Sequence, residues 1–287
     1  MKEITIVCPI FNEEENIEFF IKNFNKIFKD HPDYKFSILF ADNNSTDSSR
    51  EILKKICEKR KEIKYIRYAK NNGVMKSLFN AIKHVDTDAC AVFDCDLQDD
   101  PKLLNEFIKN WELEIKIIYG KRVKRKEIFL LGFFRNIFKK LSNYLRGYEI
   151  EIESGAWFLD KEVIRQIRHD EYEPFLPLLI NNLDFKSKGI EYERIERKRG
   201  FSKFNFFNYL SYAAEGLVSG TIKPLRVSVY FSFLFGCISF FSAIYFLIAK
   251  FFLNIVFAEG VAAIIIINLV SFSLIFLFLG ILGEYIG

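Results

Sequence analysis

The amino-acid sequence predicts an α/β protein: a mainly parallel sheet with helices on both faces, followed by two membrane-spanning helices. Three observations carry this. Short apolar runs alternate with helix-patterned segments along the first part of the chain. A polar loop follows each apolar run. Two long uncharged runs, 227–249 and 261–283, lie near the end.

The strands come first. ITIVCPI (4–10), FSILFAD (36–42), YIRYA (65–69), ACAVFD (89–94) and IKIIYG (115–120) are short and almost wholly apolar. Strands buried on both faces, as in a parallel sheet, read this way. Helical patterns lie between them, at about 14–29, 47–61, 74–84 and 101–111. Asp47 or Thr46 is suited to cap the second, and Pro101 to open the fourth. In such sheets ligands bind beyond the carboxyl ends of the strands. The loops Pro9–Glu13, Asp42–Asp47, Asn71–Gly73, Asp94–Asp100 and Gly120–Arg122 therefore share one rim.

The stretch 129–146, FLLGFFRNIFKKLSNYLR, repeats apolar residues at helical spacing with Arg135, Lys139 and Lys140 among them. That pattern suits a helix lying in a membrane interface, and a weaker version occupies about 204–222. The runs 227–249 and 261–283 each exceed the roughly 20 apolar residues needed to cross a bilayer. Lys198, Arg199, Lys203, Lys223 and Arg226 precede them, whereas the loop between carries only Lys250 and Glu259. The positive-inside rule then puts residues 1–226 on the cytoplasmic face as one domain, with 227–287 as a transmembrane hairpin.

Composition agrees. Half the residues are apolar and the mean hydropathy is +0.07, oily for a soluble enzyme. A net charge of +4 is too small to argue for nucleic acid. Five cysteines without CxxC spacing argue against a disulfide framework. The opening MKEITIVCPIFNEEE does not read as a signal peptide.

Chemistry concentrates in DCDLQDDP (94–101), with four aspartates in close succession. In an extended Asp94-Cys95-Asp96 both carboxylates share a face. They can then reach one Mg²⁺ or Mn²⁺, with Gln98 as a third oxygen ligand. Asp99 and Asp100 read as negative charge opening the next helix. A DxD alone also describes a solvated turn; its place on the loop-bearing rim favours the metal.

Together with CPIFNEEENI (8–17), ADNNSTDSS (41–49), NNG (71–73), GKR (120–122) and RKRGFSKF (197–204), this segment resembles the family-2 glycosyltransferases of GT-A fold. Within them it is similar to polyprenyl-phosphate sugar transferases such as dolichyl-phosphate mannose synthase and its two-span bacterial relatives. The resemblance implies an inverting enzyme that moves a sugar from a nucleotide-sugar donor to polyprenyl phosphate at the lipid bilayer. It implies that Pro9, Phe11 and Glu13 line the base and ribose and that Asp42 accepts from the base. Asn71 and Gly73 would let the backbone approach the nucleotide, and Asp94, Asp96 and Gln98 would hold the metal. Arg122, Arg135 and Lys139 would hold the acceptor phosphate, and Arg199, Ser202 and Lys203 a phosphate of donor or acceptor. On this reading Asp94, Asp96 and Arg122 are catalytic.

Two departures stand out. Asn43-Asn44 replaces the Asp-Gly of relatives, an exchange that Asn's tolerance of left-handed backbone permits. ESGAWF (153–158) lacks an arginine common after the glycine. Rival readings are a catalytically silent membrane adaptor, a polysaccharide synthase and a nucleotidyltransferase. The synthase's QxxRW motif and the nucleotidyltransferase's Gly-rich loop are missing from this sequence. The spans could also carry homo-oligomerisation.

Overall fold

The computed structural model describes residues 1–123, 140, 143, 155–169, 175–195, 223–253, 255 and 260–286. Seven strands form one sheet: β1 (Lys2–Ile10), β2 (Tyr34–Asp42), β3 (Ile63–Arg67), β4 (Ala89–Val92), β5 (Ile117–Arg122), β6 (Trp157–Asp160) and β7 (Ser187–Tyr192). Their spatial order is β3-β2-β1-β4-β6-β5-β7. All pairings are parallel except those of β6, which runs against both β4 and β5.

Side-chain alternation along β1 sets the two halves of the core. Ile4, Ile6, Cys8 and Ile10 face one way, into a cluster with Phe20 and Phe24 of α1 (Ile17–Lys29) and Leu104 and Phe107 of α4 (Leu103–Trp111). Leu53 of α2 (Ser49–Lys59) joins them. Val7 faces the other way, toward Leu78, Phe79 and Ile82 of α3 (Val74–Lys83) and Val163, Ile164 and Ile167 of α5 (Lys161–His169). A short α6 (Leu176–Asn182) adds Leu176 and Ile180 to that side. Fully burying one such side chain contributes about 1.5–3 kcal/mol, so these two layers account for most of the driving force.

The boundaries shift for local reasons. The first helix begins at Ile17, not near 14, because the Glu13 carbonyl accepts the N–H groups of both Asn16 and Ile17 and closes a separate turn. The cap residue of α2 is Ser48, although Asp47 Oδ1 does accept the Ser49 N–H at 3.0 Å. Pro101 lies in a turn before α4 and does not open it. The third strand begins at Ile63 and the fifth ends at Arg122. Of the expected surface helix over 129–146, Lys140 and Asn143 are described, both helical. The rest of it, and the whole of 204–222, lies outside the described residues.

A second unit holds α7 (Lys223–Phe251) and α8 (Val261–Ile286). Their cross-contacts run in opposite order along the two helices, so they form an antiparallel hairpin. Val229 packs at Gly280, Ser273 Oγ donates to the Ser232 carbonyl at 2.9 Å, and Ser239 Oγ to that of Ile266 at 3.5 Å. Phe235 stacks on Phe276 with centroids 5.5 Å apart. Both helices are long and apolar enough to cross a membrane, and only 11 % and 6 % of their most apolar windows are buried. A core helix of a soluble protein would bury most of its apolar surface.

Candidate active site

Parallel strands bring their carboxyl ends to one edge, so the loops after Ile10, Asp42, Arg67 and Val92 leave the sheet together. Two antiparallel steps through β6 restore the direction for β5, and Arg122 ends on that same edge. The rim expected from the sequence is therefore formed.

Its first half is a lattice of short polar side chains. Asp42 is fully buried at the end of β2. Its Oδ1 accepts the Ser45 N–H at 2.8 Å, and Arg67 Nε lies 3.6 Å from Oδ2. That second oxygen is buried without a hydrogen-bond partner. Asn44 adopts φ 64°, the left-handed turn that its residue type permits, and accepts Arg67 Nη2 at 3.0 Å. Asn12, also left-handed at φ 54°, accepts the Thr46 N–H at 2.7 Å and donates its own N–H to Ser45 Oγ at 2.9 Å. The first and second loops are thus tied together. Asn43 Nδ2 donates to Asn71 Oδ1 at 2.6 Å, and Asn71 also accepts the Gly73 N–H at 3.0 Å. Gly73 starts α3 at φ 89°, with open space where a side chain would be; only glycine takes that conformation without strain.

Pro9 is half-buried in β1 opposite Ala41, and Phe11 is half-buried just beyond the strand. Glu13 is turned partly inward on its own loop, where Oε2 accepts Asn16 Nδ2 at 2.6 Å.

The second half is the acidic loop, and here the structure corrects the sequence. β4 stops at Val92, so Asp94-Cys95-Asp96 is not extended strand. The chain turns: Leu97 N–H bonds back to the Asp94 carbonyl at 3.3 Å, Leu97 takes φ 53°, and Asp96 Oδ1 accepts the Gln98 N–H at 3.1 Å. A leucine in that backbone region costs roughly 1–3 kcal/mol and persists only where surroundings enforce it. Cys95 points into the core, leaving the aspartates on either side toward the rim.

Asp99 is likewise not a helix-opening charge in water. It is 1 % exposed and is the hub of a cross-sheet network. Tyr192 Oη donates to its Oδ1 at 2.5 Å and accepts Arg122 Nε at 3.0 Å. Arg122 Nη2 is 3.6 Å from Oδ2, and Arg194 Nε 3.6 Å from Oδ1. Arg194 Nη2 also reaches Asp94 Oδ2 at 3.8 Å. The backbone reinforces this bridge: Ile195 N–H donates to the Gln98 carbonyl at 2.9 Å, and Gln98 Nε2 to that of Ile195 at 3.5 Å. Gly155 closes the far side, where a Cβ would stand 3.3 Å from Arg122 Nη2 and 3.2 Å from Tyr192 Oη.

Electrostatics follow from this crowding. The Asp94 carboxyl is pushed up to about 7, first by burial and then by Asp99 and Asp96, with Arg194 and Arg122 opposing. Water still reaches 39 % of its side chain, so the crowding comes from protein around an open end. Burial raises the Tyr192 phenol and Asp99 raises it further. Burial works to lower Arg122, but Asp99 and Tyr192 outweigh it and the guanidinium is held more firmly charged. Among the described residues no three His, Cys, Asp or Glu side chains are grouped as a ready metal cage. Asp94 and Asp96 offer two hard oxygen donors, Asp94 already facing Arg194, and such a donor set fits a divalent cation completed by water and phosphate oxygens.

The site residues Arg135, Lys139, Arg199, Ser202 and Lys203 lie outside the described residues. Sequence reasoning passed over Asp99, Tyr192 and Arg194, because nothing local in EYER (191–194) marks it as a partner of residues almost a hundred positions earlier.

Comparison with known proteins bears on what this rim is for. The model of the family described as Glycosyl transferase family 2 matches residues 5–168. The chain belongs to glycosyl transferase family 2. Among its family-2 relatives, the putative glycosyltransferase CsbB of Bacillus subtilis (strain 168) is 30% identical, over 99% of this chain and 86% of that protein. A bactoprenol glucosyl transferase of Shigella phage SfX is 28% identical, over 99% of this chain and 94% of its own length. Glucosyl-3-phosphoglycerate synthase from Mycobacterium tuberculosis, solved with Mn²⁺, uridine diphosphate and glucosyl-3-phosphoglycerate, aligns with a TM-score of 0.53. The identity is 15%, over 78% of this chain and 79% of that one. The fold is GT-A, and the activity is that of a glycosyltransferase.

Proposed function

We propose that this glycosyltransferase moves a sugar, with inversion, from a nucleotide-sugar to polyprenyl phosphate at the cytoplasmic face of a membrane. The observation that carries the reading is the pairing of an acidic loop with cations on one rim. Asp94 and Asp96 lie beside Arg122 and Arg194, in a chain that also carries an apolar hairpin. Its similarity to bactoprenol glucosyl transferases, which extends over 99% of this chain, supports a lipid-phosphate acceptor.

The residues divide the work. Asp42 accepts an N–H of the donor's base through Oδ2, which faces Arg67 Nε at 3.6 Å but carries no hydrogen bond, with Pro9, Phe11 and Glu13 on the neighbouring loop and Asn71 and Gly73 opening the backbone. Asp94, Asp96 and Gln98 would hold Mg²⁺ or Mn²⁺, which would supply charge to offset that of the leaving diphosphate. A phosphate monoester has its second pKa at about 6 and is already anionic at neutral pH, so the nucleophile needs no general base. Its oxygen forms the new bond to the anomeric carbon as the bond to the nucleoside diphosphate breaks. One displacement inverts that carbon. Arg122, locked by Asp99 and Tyr192, is pre-positioned to hold phosphate oxygens in line, with Arg135, Lys139, Arg199, Ser202 and Lys203 as further cations and donors.

Purified membranes given labelled UDP-, GDP- and dTDP-sugars, polyprenyl phosphate and Mn²⁺ or Mg²⁺ test this. The expected result is label in the lipid fraction with wild type and its loss with Asp96→Ala. Label appearing in a growing polymer, or none with any donor, would refute the reading.

A further inference from the structure

Arg194 lies just after β7, outside every motif that the sequence marks. Its two ends differ in kind. Nε faces Asp99, a carboxylate only 1 % exposed and held by Tyr192. Nη2 faces Asp94, whose side chain is 39 % exposed. The backbone beneath is pinned, because Ile195 and Gln98 exchange hydrogen bonds. The Arg194 side chain itself is 34 % exposed, whereas that of Arg122 is 12 % exposed. One arginine of the pair is therefore fixed and the other has room to turn.

A part-exposed ion pair at 3.8 Å is weak, because water screens it and pairing costs the long side chain its freedom. A divalent ion on Asp94 is a stronger partner for the same oxygen, and it repels the guanidinium. Anchored at Asp99, the displaced Nη groups remain within one side-chain rotation of whatever the metal carries. A diphosphate is the anion whose geometry the guanidinium fork matches.

We propose that Arg194 is an exchangeable counter-cation of the acidic loop: it competes with the metal for Asp94, then binds the donor's diphosphate once the metal has taken that carboxylate. This rests on the reading of Asp94 and Asp96 as metal ligands. It predicts effects of opposite sign from a single substitution, which a merely structural role does not.

The test is Mn²⁺ titration of the full-length protein in detergent, followed by electron paramagnetic resonance, first with Mn²⁺ alone and then with UDP or GDP at saturating Mn²⁺. Arg194→Gln is expected to bind Mn²⁺ alone about three- to fivefold more tightly, the worth of the lost competing pair. It is expected to bind the nucleoside diphosphate about tenfold more weakly, the worth of a charged hydrogen bond. Arg194→Lys, which keeps the charge, should return the Mn²⁺ affinity toward wild type and recover only part of the nucleotide affinity. Unchanged or weaker Mn²⁺ binding in Arg194→Gln overturns the proposal, as does unchanged nucleotide binding. Failure of the underlying metal reading shows separately: wild type would not bind Mn²⁺, or Asp96→Asn would bind it as wild type does, and the Arg194 proposal would fall with it.

Discussion

At the scale of single residues, the site is governed by how much negative charge the rim tolerates. Asp94 is raised to about 7 by burial and by its acidic neighbours. As the metal ligand proposed above, Asp94 must be ionised, so Mn²⁺ affinity should climb as pH rises through about 7 and level off above it. Titrations between pH 5.5 and 8 check this, and Asp94→Asn should bind weakly with little pH dependence. The sign for stability is the reverse. A carboxyl whose folded pKa lies above its ordinary value binds an extra proton on folding, so the metal-free protein is destabilised as pH rises from near 4 through 7. Melting of wild type against Asp94→Asn across that window should show the gap. Tyr192→Phe removes the hydroxyl donating to Asp99 at 2.5 Å and accepting Arg122 at 3.0 Å. Leaving buried Asp99 short of a donor should cost about 1–3 kcal/mol, read by chemical denaturation, with a matching fall in transfer rate as Arg122 loosens.

At the scale of elements, the acidic loop and the hairpin show opposite uses of close packing. In the loop, Leu97 at φ 53° turns the chain so that Cys95 enters the core while the flanking aspartates stay on the rim. Strain there is offset by packing behind it. In the hairpin, Gly280 lets α7 approach so closely that an added Cβ would sit 2.4 Å from Val229 Cγ2. Small residues permit such contact between apolar helices, where lipid supplies no hydrophobic drive for pairing. Gly280→Val should therefore splay the helices at a cost of about 1–3 kcal/mol, seen as lower thermal stability in detergent. The elements were legible to different degrees. β1, β4 and the second half of β2 are buried and stand out as apolar runs, whereas β3 at the sheet edge exposes Lys64 and Arg67. By contrast β6 is four residues long, and β7, SKGIEY, carries charge at alternate ends of its pattern. Neither announces itself.

At the scale of the whole molecule, an α/β unit and an apolar hairpin share one chain, as a water-soluble donor and a lipid acceptor would require. If α7 and α8 span a bilayer, the expressed protein should stay in the membrane pellet through alkaline carbonate and high salt. Release by carbonate would show that only surface attraction holds it.

The alternating pattern, the five polar loops, the DxD segment and the two spans are all local. Side-chain period, turn chemistry and run length encode them within a few residues, so the sequence by itself determined fold class, rim and hairpin. Cross-chain partnership is different. Asp99 reads locally as a surface charge before a helix, yet it is buried because β7 brings Tyr192 and Arg194 over it. Asp42 likewise is a buried acceptor, with Ser45 and Arg67 around it, only because the neighbouring loop and strand close over it. Burial and pairing depend on which distant segments meet, and only the tertiary structure decides that.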